Sequence, residues 1–147
     1  MTRFDLRPAQ PEDLPAVLTL LQSAALPTEG VADHFAHFIV AWDRSGLAGL
    51  AGLEPYGPAV LLRSLVVRPD LRGRGLGAAL TLRLLEQARR ADAKRVFLLT
   101  ETAQNFFPRF GFETVARDSA DEAVQASVEF RAACPQSAVC LRLDLGP

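Results

Sequence analysis

The run Arg72-Gly73-Arg74-Gly75-Leu76-Gly77 constrains this chain more than any other stretch. It follows an apolar, strand-patterned segment, Val60 to Val67. It leads into an amphipathic segment from about Gly75 to Ala91, with Leu80, Leu84, Ala88 and Ala91 on one face. Glycines at a strand-to-helix junction remove side chains, so backbone N–H groups can converge on an anion. The helix N-terminus adds about half a positive charge, and Arg72 and Arg74 add two more. The spacing excludes two common phosphate loops. A P-loop needs a glycine at the fifth position after the first, then Lys and Ser/Thr; from Gly73 those positions hold Ala78, Ala79 and Leu80. A dinucleotide fingerprint needs G-x-G-x-x-G after the first strand of the chain. Here the third glycine comes one residue early, and the loop lies near mid-sequence. On the residues alone, a pyrophosphate cradle and a tight turn with solvated arginines both stay open.

The rest of the chain has the means to bury a core around that junction. Its 147 residues suit one domain, residues 1–147, and 49% apolar with 22% charged residues is ordinary globular composition. Disordered, collagen-like and coiled-coil chains are excluded. Sixteen Lys and Arg against seventeen Asp and Glu give a net charge of −1, so the basic surplus of a nucleic-acid binder is missing. The N-terminus carries acids and prolines where a signal peptide has an apolar core. No apolar run approaches the 18 or more residues a membrane helix needs. A soluble, cytoplasmic protein with no membrane partner is expected. Cys134 and Cys140 do not form a disulfide framework, and C-x5-C with no histidine nearby is not a zinc spacing, so no metal is expected. Cys140 reads as a small core residue and Cys134 as a loop residue, with a thiol- or arsenite-responsive pair as the alternative.

Periodicity orders the elements. Arg3 to Arg7 alternates as a short strand, and Gln10-Pro11-Glu12-Asp13 opens a helix striped by Leu14, Val17, Leu18, Leu21 and Ala25. His34 to Gly46 reads as a strand and turn with Phe38, Val40 and Trp42 on one face; Ala48 to Leu53 and Val60 to Val67 follow as strands. Arg95 to Thr100 is a buried strand and Thr102 to Arg109 a short helix. Ser119 to Glu122 is a capping box for a last helix to about Arg131, and Ala138 to Leu143 is a final strand. The order predicts a mixed α/β or α+β domain with helices on both faces of a sheet.

The segment Leu65-Val66-Val67-Arg68-Pro69-Asp70-Leu71-Arg72-Gly73-Arg74-Gly75-Leu76-Gly77-Ala78-Ala79-Leu80 resembles the acetyl-coenzyme A motif of the GNAT acetyltransferases. Its core, R/Q-x-x-G-x-G/A, is matched by Arg72, Gly75 and Gly77, and Phe110-Gly111-Phe112 resembles the family's second motif. The resemblance covers nearly the whole chain. It implies a mostly antiparallel central sheet with splayed middle strands, here Val60–Val67 and Arg95–Thr100, and acetyl-coenzyme A as co-substrate between them. Backbone groups of Leu65, Val66 and Val67 would pair with the pantetheine arm. The N–H groups from Arg72 through Gly73, Arg74, Gly75, Leu76 and Gly77 to Ala78 would hold the pyrophosphate. Residues Leu98 to Phe112 are similar to acetyltransferase domains of N-acetylglutamate synthases. Gly52 to Gly57 with Cys134 to Cys140 resemble a subfamily named for arsenic-resistance loci. Both likenesses imply a small-molecule or amino-acid-like amine as partner, with a homodimer left open.

The implied reaction is direct attack of an amine on the thioester, which needs a neutral amine, stabilisation of the developing oxyanion, and a proton for the thiolate. Many family members carry a tyrosine four residues before the second-motif glycine as that acid. Here the position holds Phe107, and the only tyrosine, Tyr56, lies in another turn. Glu54, expected near the cleft edge, is the first choice for the base and Glu101 the second; both also read as surface carboxylates. His34 and His37 read as surface or structural residues. Arg63, flanked by Leu61, Leu62 and Leu65, needs a carboxylate partner, either Glu54 or the carboxylate of a bound substrate. A non-catalytic acetyl-coenzyme A sensor is the alternative function.

Overall fold

Strand-patterned segments from both halves of the chain gather into one sheet in a computed structural model that describes residues 4–146. Among those residues the strands are β1 (Asp5–Pro8), β2 (Phe38–Asp43), β3 (Gly46–Tyr56), β4 (Ala59–Val67), β5 (Arg95–Thr100), β6 (Glu113–Val115) and β7 (Val139–Asp144). They lie in the order β1-β2-β3-β4-β5-β7-β6. Every neighbouring pair is antiparallel except β4 with β5.

Strand alternation decides which helix covers which face. Val40, Leu50 and Val66 pack with Val17 and Leu21 of α1 (Leu14–Ser23). Ile39, Ala41, Ala51 and Leu53 point the other way, onto Leu76, Leu80 and Leu84 of α2 (Leu76–Arg90). Ala59, Leu61 and Phe97 return to the α1 face, where Val124 of α3 (Glu122–Gln125) and Phe130 cover them. Helices thus lie on both faces, as the element order predicts. No helix among the described residues is long and apolar enough to cross a membrane.

Local chemistry explains where the elements differ from their patterns. The first strand covers Asp5–Pro8, and Arg3 lies outside the described residues. His34 and His37 sit in a 3-10 segment before β2 rather than in a strand. β3 runs on to Tyr56. The helix expected over 102–109 is absent. Thr100 Oγ1 accepts the Ala103 N–H at 2.9 Å as an N-cap would, but Pro108 has no N–H to carry an α-helical bond, and only a 3-10 turn over Phe107–Phe110 follows. The capping box at Ser119 does not form, because Ser119 Oγ donates to the Ala116 carbonyl, and the helix instead starts after Asp121. It stops at Gln125, and a π turn spans Glu129–Ala133. Ala91, expected to face inward, is exposed beyond the end of α2.

The β2–β3 contact leaves no room at Gly52. A Cβ there would come within 2.3 Å of the Phe38 ring, and Phe38 is 1% exposed, packed with Val17, Leu21 and Phe35 in the core. Gly52→Ala is expected to lose about 1–3 kcal/mol by overpacking, read as a lower midpoint in urea unfolding. An unchanged midpoint would show that the ring moves aside freely.

Candidate active site

The central constraint is that β4 and β5 pair over only three positions, Ala59 with Arg95, Val60 with Val96 and Leu61 with Phe97. Beyond them each strand keeps its outer partner. β4 stays registered with β3 as far as Val67 opposite Gly49, and β5 with β7 as far as Thr100 opposite Val139. The two strands therefore part into a V. A bulge lies on the β4 arm: the register with β3 shifts between Leu50 and Gly52, and Ser64 adopts φ +65 without being a glycine. A side chain in the left-handed region costs roughly 1–3 kcal/mol and persists only where its surroundings enforce it. A cleft of about 510 Å3 fills the V, walled by Leu62 to Leu65 on one arm and Leu98 to Ala103 on the other.

The glycine loop sits beyond the open end of β4. Gly73 and Gly75 have φ +80 and +84, and a Cβ at either would meet nothing within 4 Å, so the space above the loop is open. Arg72, Gly73, Arg74 and Gly75 are exposed, whereas Leu76 is buried and anchors the helix start. Gly75 is the N-cap of α2, and the first helical N–H groups, at Leu76, Gly77 and Ala78, have no acceptor within the helix. This arrangement fits an anion such as a pyrophosphate. Leu65 and Val67 are half-buried and Val66 is buried, with their backbones on the β4 edge that β5 has left.

The α1 face of the V holds a buried charge cluster. Arg63 is 2% exposed, Glu54 0% and Glu129 3%. Arg63 Nη1 donates to Glu54 Oε2 at 2.7 Å, and its Nε lies 3.3 Å from Glu129 Oε2. The same guanidinium donates to the carbonyls of Glu29 at 2.7 Å and Pro27 at 3.3 Å, and to Ser64 Oγ at 3.0 Å. The partner expected for Arg63 is thus found within the chain, from Glu54 as one reading had it and from Glu129 in addition. Glu54 does not sit at the cleft edge. It is fully buried behind Arg63, accepts a hydrogen bond from Tyr56 Oη, and has His34 Nε2 at 3.5 Å; it does not line the cleft. Its place in the middle of an antiparallel pair, opposite Leu61, explains the difference. Glu101 is exposed at the mouth, where Ser137 Oγ donates to it at 3.1 Å.

Glu129 is the cleft carboxylate that the pattern does not reveal. The expected continuous helix made it one acidic residue among several, and only the break after Gln125 turns it into the cleft. Burial pushes its carboxyl up to about 7, outweighing the attraction of Arg63, and the fields of Glu54 and Glu29 act in the same direction. The half-buried Cys134 thiol bonds to Glu129, and burial beside that carboxylate pushes it up to about 12. Cys134 is therefore a thiol, not a thiolate, at neutral pH. Cys140 is buried in β7, as expected of a core residue, and both cysteines are free. Phe107 is 4% exposed and lines the cleft where an acid would stand. Tyr56, its hydroxyl spent on Glu54, does not line it.

A carboxyl raised in the folded state lends stability below its unfolded value of about 4.5 and loses it as pH rises through about 7. Glu129→Gln is expected to flatten the fall in unfolding free energy between pH 5 and 8, measured by urea titration at both. A variant that falls as steeply as the parent would show that Glu129 ionises normally.

Comparison with known proteins agrees with this geometry. The fold superposes with a TM-score of 0.83 on N-acetylglutamate synthase from Neisseria gonorrhoeae, complexed with coenzyme A and N-acetyl-glutamate. The sequences are 20% identical over 100% of this chain and 36% of that one. The chain thus spans about a third of the synthase's length. Rv2747 from Mycobacterium tuberculosis, in complex with coenzyme A and a second ligand, is 25% identical over 96% of this chain and 99% of its own, with a TM-score of 0.79. An acetyltransferase of the GNAT family from Staphylococcus aureus Mu50 is 13% identical over 97% of this chain and 99% of its own, with a TM-score of 0.78. Residues 34–114, which include the V, the glycine loop and the second glycine motif, match the acetyltransferase (GNAT) domain, and the chain belongs to that family.

Proposed function

We propose that this chain transfers the acetyl group of acetyl-coenzyme A to the amine of a small-molecule or amino-acid-like acceptor, by direct attack on the thioester. The observation that carries this reading is the parting of β4 from β5 beside a glycine loop with open space at Gly73 and Gly75. Bound acetyl-coenzyme A supplies an activated acyl carbon. The chain supplies the rest. Leu65, Val66 and Val67 offer strand-edge backbone groups to the pantetheine arm, and the amides of Arg72 to Ala78 take the pyrophosphate at the helix N-terminus. The bulge at Ser64 lies on the arm that walls the V, and this reading gives the backbone N–H groups of that arm to the carbonyl oxygen that gathers charge.

Proton removal falls to Glu129 in this reading. It lines the cleft, and a carboxyl near 7 is matched to taking a proton from an ammonium at neutral pH. Glu54 then acts through Arg63 as a positioning residue, and Glu101 helps at the mouth. With Phe107 in the acid's place, the thiolate leaves without a side-chain proton donor. The same reading takes residues 1–147 as one domain, working in the cytoplasm and on neither nucleic acid nor membrane, with a homodimer left open. The likeness of Gly52–Gly57 and Cys134–Cys140 to the subfamily named for arsenic-resistance loci supports a small-molecule acceptor.

Two measurements test this. A valine at Gly75 would place a branched side chain over the cradle at φ +84. Gly75→Val is expected to abolish calorimetric binding of coenzyme A while circular dichroism shows a folded protein; unchanged affinity would remove the cradle. Glu129→Gln is expected to lower kcat by at least roughly 100-fold, with coenzyme A binding intact and the acidic limb of the pH–rate profile lost. Glu101→Gln should cost less than about tenfold. If Glu54→Gln or Glu101→Gln carries the loss instead, the base is that residue. If a broad amine panel releases no thiol from a protein that binds acetyl-coenzyme A, the chain is a sensor.

A further inference from the structure

The acceptor side of the cleft has an unusual charge balance. Arg63 is the one basic residue among those that line the cleft, which also holds Glu101 and Glu129. Its guanidinium already holds two carboxylates. Nη1 bonds Glu54 and the Glu29 carbonyl, Nε faces Ser64 Oγ and Glu129, and Nη2 reaches the Pro27 carbonyl. Glu54 stands behind it, fully buried, and the Glu29 carboxylate adds its field to the same spot. Arg117 is the other cation whose field reaches Cys134, but it does not line the cleft, and it is bonded to the carbonyls of Phe130, Cys134 and Pro135. Several carboxylates thus surround one guanidinium. A carboxylate on the acceptor would have to share Arg63 with Glu54 and Glu129, a third anion on one desolvated guanidinium, or displace one of them and leave a buried charge without its partner. The remaining acceptor wall, Leu26, Pro27, Ala133 and Pro135, offers apolar surface and no further cation.

From this we infer that the acceptor is a basic amine that carries no carboxylate, an aliphatic amine or diamine or an amino-acid amide, and that free amino acids, glutamate included, are excluded by charge. The inference rests on the acetyl-transfer reading only for the word acceptor. The recognition itself is a matter of binding. The incoming ammonium meets Glu129 near the V, and a second cation or a polar end meets Glu101 at the mouth, where Ser137 already orients the carboxylate.

Matched ligands separate the effect of the carboxylate from that of size. Titration of the coenzyme A-loaded protein with leucinamide, leucine, 1,4-diaminobutane and glutamate, followed by calorimetry, is expected to show leucinamide at least tenfold tighter than leucine, and the diamine at least tenfold tighter than glutamate. Glu101→Lys, at an exposed position that can be changed without disturbing the core, should weaken the diamine and narrow both gaps. Leucine or glutamate binding as well as or better than its partner overturns the inference, as does a panel in which nothing binds, or gaps that Glu101→Lys leaves unchanged. Thiol release measured on the same ligands reports on the chemistry separately. Amines that bind as expected but release no thiol would refute acetyl transfer and leave the charge rule standing. Acetylation of glutamate in preference to the amines would do the reverse.

Discussion

Arg63 is a charge inside a sheet, and the geometry around the cleft follows from how that charge is compensated. Its partners come from four separate parts of the chain: Glu54 on β3, Ser64 on β4, the carbonyls of Pro27 and Glu29 after α1, and Glu129 after α3. Replacing a buried ion pair by apolar residues is often neutral or stabilising, so such a cluster is weak evidence for added stability. It is a strong device for position. Each partner can meet the planar guanidinium in few geometries, so the loop after α1 and the π turn over Glu129–Ala133 are held against the same side of β4.

The cluster and the V depend on each other. Arg63 directly precedes the bulge, and its Nε bonds the hydroxyl of the strained residue itself. Ser64 in the left-handed region changes the path of β4 and shifts its register with β3 by one residue, yet the two strands stay paired on both sides, from Glu54 opposite Leu61 to Gly49 opposite Val67. β5 is fixed on its far side to β7 over six positions and does not follow. The V is therefore a rigid feature of two well-paired strand systems, and its walls are largely backbone and apolar side chains. Such a cleft binds an extended, polar-backboned ligand through main-chain groups. Chemistry at its closed end then falls to the few titratable groups that reach it.

Glu129 shows how burial and charge act together. A carboxylate paired with arginine ordinarily ionises easily, yet this one is raised, because desolvation dominates and the guanidinium is shared with Glu54. The same desolvation raises the Cys134 thiol, which keeps it protonated at neutral pH. The missing tyrosine at Phe107 fits this division of labour. That side chain joins the aromatic cluster with Phe106 and Phe112, a packing role, and the proton chemistry we propose for Glu129 is left to the other wall.

By itself, the sequence determined what depends on local spacing and on the backbone. The glycine loop is legible because glycine's tolerance of positive φ and the amides of a helix start are properties of a short stretch, and Gly73, Gly75 and Leu76 sit as that stretch requires. The two helical faces and the alternation of β2 are legible for the same reason. Tertiary structure decided everything that depends on which segments meet. Glu54 reads like any carboxylate near the end of a strand, and only its register opposite Leu61 buries it. Glu129 reads like any acid in an amphipathic helix, and only the break after Gln125 turns it into the cleft. Ser64 carries no local mark of a bulge at all. Its conformation is imposed by strands that pair on one side and part on the other, a constraint that exists only once residues far apart in the chain have come together.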